Sequence, residues 1–229
     1  MRTLIIIPAY NEQDNIVNTV RDIETNCPGV DYIVINDCSR DRTEQIMREN
    51  GMHYISLSCN LGIGGAVQTG YRFACENGYD LAIQFDGDGQ HEARYLHALI
   101  SPIESEKADI VIGSRFIKGQ GFQSTGIRRL GINFLSNLIQ MLCGVRVLDV
   151  TSGMRAVNRR FIEEYAKAYA QDYPEPEAII SAAKHGAKIK EVPVEMRERQ
   201  SGTSSINPMR SLYYMIKVSL ALILAKFSS

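Results

Sequence analysis

Leu81-Ala-Ile-Gln-Phe-Asp86-Gly-Asp88-Gly-Gln90-His91 joins a short apolar run to a pair of carboxylates. The run reads as a buried strand. Side chains alternate along extended chain, so Asp86 and Asp88 aim at one side where the strand ends. Gly87 and Gly89 let the backbone turn sharply and come close to a ligand. Two hard oxygen donors at a strand's carboxyl end suit Mg²⁺ or Mn²⁺ carrying a diphosphate. Gln90 offers a third oxygen and His91 a nitrogen, and a nitrogen favours Mn²⁺. An ordinary acidic turn, a helix-loop-helix calcium site and an aspartyl phosphatase share the Asp-x-Asp pattern. The calcium loop wants a Glu at its twelfth position, near which Leu96 and His97 stand instead. The phosphatase motif is expected near a chain start.

The segments before it choose among these. Leu4-Ile-Ile-Ile7 is a β-branched run ending at Pro8, the first strand of a parallel sheet, with Asn11 expected to cap the following helix. Tyr32–Ile35 and His53–Leu57 read as the second and third strands, each followed by a helix. After the central stretch come a helix near Arg94–Glu104 and a fifth strand, Asp109–Gly113. This alternation is that of a doubly wound α/β sheet with its site at the carboxyl ends of the strands. Tyr10, Glu12, Asp37 and Asn60 sit at those ends with Asp86 and Asp88, and together they make a cleft of carboxylates, amides and glycine backbone. Gly62-Ile-Gly64-Gly65-Ala66 hints at a dinucleotide fingerprint, but Val67 occupies the third glycine's place; a helix start that accepts a phosphate or packs tightly fits better.

Composition sets outer limits. The chain has 229 residues, 45% hydrophobic and 22% charged, enough for one core. A formal charge of −1 gives no reason to expect nucleic acid as a partner. Five scattered cysteines without a Cys-x-x-Cys pair point to a reducing compartment and to neither zinc nor a disulfide framework. Leu4–Ile7 is too short for a signal peptide's apolar region, so a cytosolic catalytic part is expected.

Taken in order, Pro8-Ala-Tyr-Asn-Glu12, Asp37-Cys-Ser-Arg-Asp41-Arg-Thr43, Asn60-Leu-Gly-Ile-Gly64-Gly-Ala and Asp86-Gly-Asp88-Gly-Gln90-His91 resemble family 2 glycosyltransferases of the GT-A fold. Gly113-Ser-Arg115-Phe, Asp149-Val-Thr-Ser152-Gly-Met-Arg155 and Arg199-Gln-Ser-Gly202-Thr-Ser204 narrow the resemblance to the polyprenyl-phosphate branch. Dolichyl-phosphate mannose synthases and undecaprenyl-phosphate glucosyltransferases typify that branch. The resemblance implies a Rossmann-like, mainly parallel mixed sheet flanked by helices. It implies that Pro8, Tyr10, Glu12, Asp37 and Asp86 hold the nucleotide-sugar, and that Asp86, Asp88 and Gln90 hold the metal. Arg115, Arg128, Arg129 and Arg199 are implied at the acceptor phosphate, with Asp88, Arg115 and Arg199 against the reacting atoms. Two departures stand out: Ile132 and Asn133 where the family often has a serine, and Glu92 where a proline commonly follows Gln-His.

The implied reaction is inverting transfer of a sugar, with UDP-glucose or UDP-N-acetylglucosamine favoured, to polyprenyl phosphate at the cytosolic membrane face. A glycan or lipid hydroxyl acceptor is one alternative, and a sugar-nucleotide-binding subunit without turnover is another. Some relatives of this short type work beside a small membrane protein, and a homo-oligomer is a further option. Residues 1–206 are expected to form the catalytic domain and 207–229 an apolar helix. That tail is too short between Lys217 and Lys226 to span a bilayer, and Tyr213, Tyr214 and the lysines suit a helix lying peripherally on a membrane. A core or dimer helix is the competing reading. The apolar stretch Ile127–Val147, broken by polar residues, is expected at the interface or against the core.

Overall fold

The computed structural model describes residues 1–119, 121, 126–197 and 208–227. Among them, Thr3–Ala9 (β1), Asp31–Asn36 (β2), Tyr54–Ser56 (β3), Leu81–Gln84 (β4), Ile110–Ser114 (β5), Arg155–Asn158 (β6) and Ile189–Pro193 (β7) form one sheet. Its order is β3-β2-β1-β4-β6-β5-β7. The helices are Ile16–Asn26 (α1), Thr43–Glu49 (α2), Gly62–Glu76 (α3), Leu96–Glu106 (α4), Gly126–Cys143 (α5), Arg159–Lys167 (α6), Pro174–Lys184 (α7) and Pro208–Phe227 (α8).

Strand β1 shows why the sequence folds this way. Leu4 and Ile6 enter one core cluster and Ile5 and Ile7 the other, so both faces of the strand are buried. Its neighbours β2 and β4 run parallel to it, which aligns their carboxyl ends. The alternation breaks at β6, which lies antiparallel between β4 and β5. The sheet is therefore mixed and mainly parallel. The turn preceding β6, 149–154, consequently lies beside the carboxyl ends of its neighbours, and Arg155 pairs with Gln84.

The glycine-rich start of α3 packs tightly. A Cβ on Gly64 would stand 2.6 Å from the Gln171 backbone, and one on Gly70 would run into the Ile6 side chain. Glycine is needed at both places for the close approach.

One expectation fails at α1. Asn11 does not cap it: its backbone is left-handed at φ 57°, and its side-chain carbonyl accepts from the Arg40 amide at 2.8 Å. The helix start is met instead by the Glu12 carbonyl, which accepts from the amides of Asn15 and Ile16.

The tail helix divides into two faces. Val218 and Leu222 lie fully buried in the main core, where α8 packs beside α5 and α7. Ile216, Leu220, Leu224 and Phe227 point outward, Leu224 with 70% exposure. Helix α5 likewise turns Leu130, Phe134 and Met141 to solvent. Among the described residues no helix is long and apolar enough to cross a membrane.

Candidate active site

The strand ends form a cleft of about 400 Å³, lined by Pro8, Tyr10, Glu12, Asp37, Asn60, Gly62, Ile63, Asp86 and Asp88. Its floor is hydrogen-bonded within the chain itself. The Asp37 carboxylate accepts from the amides of Leu61 (2.7 Å) and Gly62 (2.9 Å), and the Asn60 amide donates to the Asp37 carbonyl at 3.0 Å. Asp37 thus takes the Gly62 amide, the first donor of α3, together with that of Leu61 just before the helix. Within the glycine run, Gly64 and Gly65 are closely packed against Gln171 and Leu61. Glu12 is buried, accepts from the Asn15 side chain at 2.8 Å, and has its own amide on Thr43 Oγ at 2.9 Å. Tyr10 stays 41% exposed over the opening.

Loops 10–13 and 38–43 are laced to each other. Asn11 donates its amide to Ser39 Oγ and Gln13 donates its amide to Asp41, while Arg40 and Arg42 donate theirs back to Asn11 and Gln13. Cys38 holds φ 58° there, a conformation non-glycine residues adopt at a cost.

Asp86 stands at the far end of the cleft with 32% of its side chain exposed. Gln84 donates to Asp86 Oδ1 at 3.3 Å, and His91 Nε2 lies 3.1 Å from Oδ2. An ionised carboxylate only accepts, so the ring carries its proton on Nε2. Burial alone would push the Asp86 carboxyl up; His91, Gln84 and the nearby Arg155 charge outweigh it and hold it below the usual range. His91 is buried beside Phe85, and its Nε2, the nitrogen the sequence offers to a metal as an option, faces Asp86. Asp88 accepts the Gln90 amide at 3.0 Å. The Gln90 side-chain nitrogen reaches the Arg197 carbonyl at 3.4 Å. Among the described residues no three His, Cys, Asp or Glu side chains gather as a closed metal cage.

Beyond Asp86 the charge changes sign. Arg115 is buried and paired with Asp149, and Thr151 Oγ accepts from it at 3.0 Å. Glu191 on β7 accepts from the amides of Leu148 (2.8 Å) and Asp149 (2.9 Å), fixing that carboxylate in turn. The Arg129 guanidinium lies 3.3 Å from the Phe116 ring centre, with Arg115 at 5.1 Å from the same ring. Arg129 Nη1 is buried with no hydrogen-bond partner among the described residues. Burial lowers the Arg129 pKa and the Arg115 charge lowers it further, against Asp149. Arg128 is exposed on the same helix, and Arg199 lies outside the described residues.

The sequence offers Arg155 only as the last residue of a motif, and Glu175, with Glu177, only as a candidate base for a hydroxyl acceptor. Arg155 is fully buried, giving hydrogen bonds to the Ser152 carbonyl (2.7 Å) and the Glu175 carbonyl (2.9 Å). Burial raises the Glu175 carboxyl, with Arg155 opposing and Asp86 adding to the rise.

The model of the family described as "Glycosyl transferase family 2" matches residues 4–166. The chain belongs to glycosyltransferase family 2. Among family relatives, the polyprenol monophosphomannose synthase of Mycolicibacterium smegmatis is 29% identical over 95% of this chain and 86% of its own. The UDP-N-acetylglucosamine–dolichyl-phosphate N-acetylglucosaminyltransferase of Methanococcus voltae is 32% identical over 83% and 84%. Glucosyl-3-phosphoglycerate synthase of Mycobacterium tuberculosis, solved with Mn²⁺, UDP-glucose and phosphoglyceric acid, superposes with a TM-score of 0.75 at 20% identity, over 98% of this chain and 79% of that one. The fold of this family 2 glycosyltransferase is accordingly GT-A, and the protein is an enzyme. A binding subunit without turnover is set aside.

Proposed function

We propose that this enzyme transfers a sugar from a nucleotide donor to polyprenyl phosphate, with inversion, at the cytosolic face of a membrane. One observation carries the acceptor assignment. Two guanidinium groups gather on the Phe116 ring; Asp149 is already given to Arg115, and Arg129 keeps a buried, unpartnered N–H. A buried donor without an acceptor is costly, and a phosphate oxygen would complete it. The relatives' named acceptors, polyprenol and dolichyl phosphates, support the same reading.

On the donor side, Tyr10 offers a face for the base, while Pro8, Glu12 and Asp37 wall the nucleotide's place. UDP-glucose and UDP-N-acetylglucosamine are the favoured donors. Asp86 and Asp88 fit Mg²⁺ or Mn²⁺: two carboxylates suffice for an ion that arrives on a diphosphate and keeps waters, with the Gln90 oxygen as a third protein ligand. Such an ion supplies charge stabilisation for the leaving diphosphate. Arg115 and Arg129, with Arg128 and Arg199, hold the acceptor phosphate and steady charge as the C1–O bond breaks. No base is required, because a phosphate monoester with a second pKa near 6 is largely dianionic at neutral pH. The outward stripes of α8 and α5 provide the membrane contact.

A hydroxyl acceptor would need a base, and Glu175, with its raised pKa beside Asp86, is the group that favours that second reading.

The deciding experiment incubates purified enzyme with labelled nucleotide sugars, with and without undecaprenyl phosphate. Label is expected in the organic phase only with the lipid, and nucleoside diphosphate as by-product. EDTA or Asp88→Asn is expected to lower turnover about a hundredfold, on the order of 3 kcal/mol. Nucleoside monophosphate release, or transfer to a free hydroxyl, would overturn the proposal.

A further inference from the structure

Asp86 touches the turn between Asp149 and Arg155 at its glycine. A Cβ on Gly153 would stand 2.8 Å from both Cγ and Oδ1 of Asp86, and closer still to Oδ2. The carboxylate therefore lies directly on the glycine's bare Cα. Both sides are tethered by hydrogen bonds. Asp149 is pinned by Arg115 and Glu191 on one side of Gly153, and on the other the Arg155 guanidinium binds the Ser152 and Glu175 carbonyls. The carboxylate itself is tied at Oδ1 by Gln84 and at Oδ2 by His91.

We propose that Gly153, with His91, is a positioning residue that presets Asp86: the missing side chain leaves the carboxylate its place, and the imidazole N–H locks its rotation. The inference rests on the donor-metal reading above and extends it to residues outside the Asp-x-Asp motif. It also explains why the turn is built so firmly. The piece of backbone that grips Arg115 through Asp149 is the piece that seats Asp86, so the acceptor arginine and the donor carboxylate share one support. Preorganised ligands bind a metal–diphosphate without first being ordered, and the groups behind them matter for affinity by ten- to a hundredfold.

The test is calorimetric, without turnover. UDP and GDP are titrated into the full chain with and without Mn²⁺, alongside thermal melting. For Gly153→Ala, Mn²⁺-dependent nucleotide binding is expected to weaken at least tenfold, while the weaker metal-free binding stays within twofold. A merely structural role would lower both together, and that result would overturn the proposal, as would unchanged Mn²⁺-dependent binding. If Gly153→Ala does not fold, two His91 variants decide. His91→Phe keeps the ring against Phe85 without the N–H and is expected to lose at least tenfold; His91→Gln keeps an N–H and is expected to stay within threefold. No difference between the two overturns the proposal. Should the unaltered protein bind neither nucleotide with Mn²⁺, the donor-metal reading itself fails, a result distinct from variants that match a binding-competent parent.

Discussion

Arg115 and Asp149 meet fork to fork, with Nε to Oδ2 and Nη2 to Oδ1 both at 2.7 Å. The Arg115 amide adds a third bond to the same carboxylate at 3.1 Å. Such a pair orients a cation; removing one member leaves the other buried and uncompensated. Asp149→Asn is expected to cost about 3–5 kcal/mol in urea unfolding. A loss below about 1 kcal/mol would mean the arginine finds another partner at once.

Arg129 should separate acceptor from donor. Its unpaired N–H is taken to await a phosphate oxygen, a charge-assisted bond of about 1.5–3 kcal/mol. Arg129→Ala is therefore expected to raise the acceptor KM by roughly ten- to a hundredfold, with nucleotide binding unchanged. Lysine should not restore it, since an ammonium cannot lie flat on Phe116 as the guanidinium does. Equal losses in donor and acceptor binding would refute this division.

The Glu175 carboxyl gives a pH dependence with a definite sign. Burial lifts it above its ordinary 4.5 in the folded protein. The folded state then holds more protons than the unfolded one between those two values, so stability falls as pH rises through that window. Glu175→Gln has no charge to bury. Its urea midpoint is expected to exceed that of the parent near neutral pH, and the gap to close towards pH 4.5. A gap independent of pH would show that the raised carboxyl does not control it.

The two faces of α8 predict opposite phenotypes. Leu222→Ala opens the core and is expected to cost about 2–5 kcal/mol. Leu220→Glu with Leu224→Glu leaves the buried stripe intact, so the urea midpoint should hold while co-sedimentation with anionic vesicles is lost, at about 1.5–3 kcal/mol per leucine withdrawn from lipid. Unchanged sedimentation would move the contact to another surface. Removing the whole helix is a poorer probe, because Val218 and Leu222 would leave a gap in the core.

The parallel strands and their polar ends were readable because each is a local pattern: a β-branched run, then Asn, Asp or Gly. Asp86 and Asp88 announced themselves for the same reason. Strand β6 did not. It has four residues, Arg-Ala-Val-Asn, begins on a charge, and owes its existence to the gap between β4 and β5. Arg155 could be identified as part of a motif but not as a buried brace, since its partner Glu175 is 20 residues away. Asn11 looked like a helix cap because its type suits that role equally; only the arrival of loop 38–43 takes it elsewhere. His91 carried the right chemistry for a ligand, and which atom its nitrogen faces is a matter of rotamer and packing that spacing does not encode.

The lacing of loops 10–13 and 38–43 bears on timing. Its bonds run both ways between the first and second β–α units, so neither loop can open without breaking its grip on the other. The wall beside Tyr10 and Asp37 is thus finished when the sheet is finished. A molecule entering there waits for neither of these two loops to close, so they add no step of their own to its diffusional arrival.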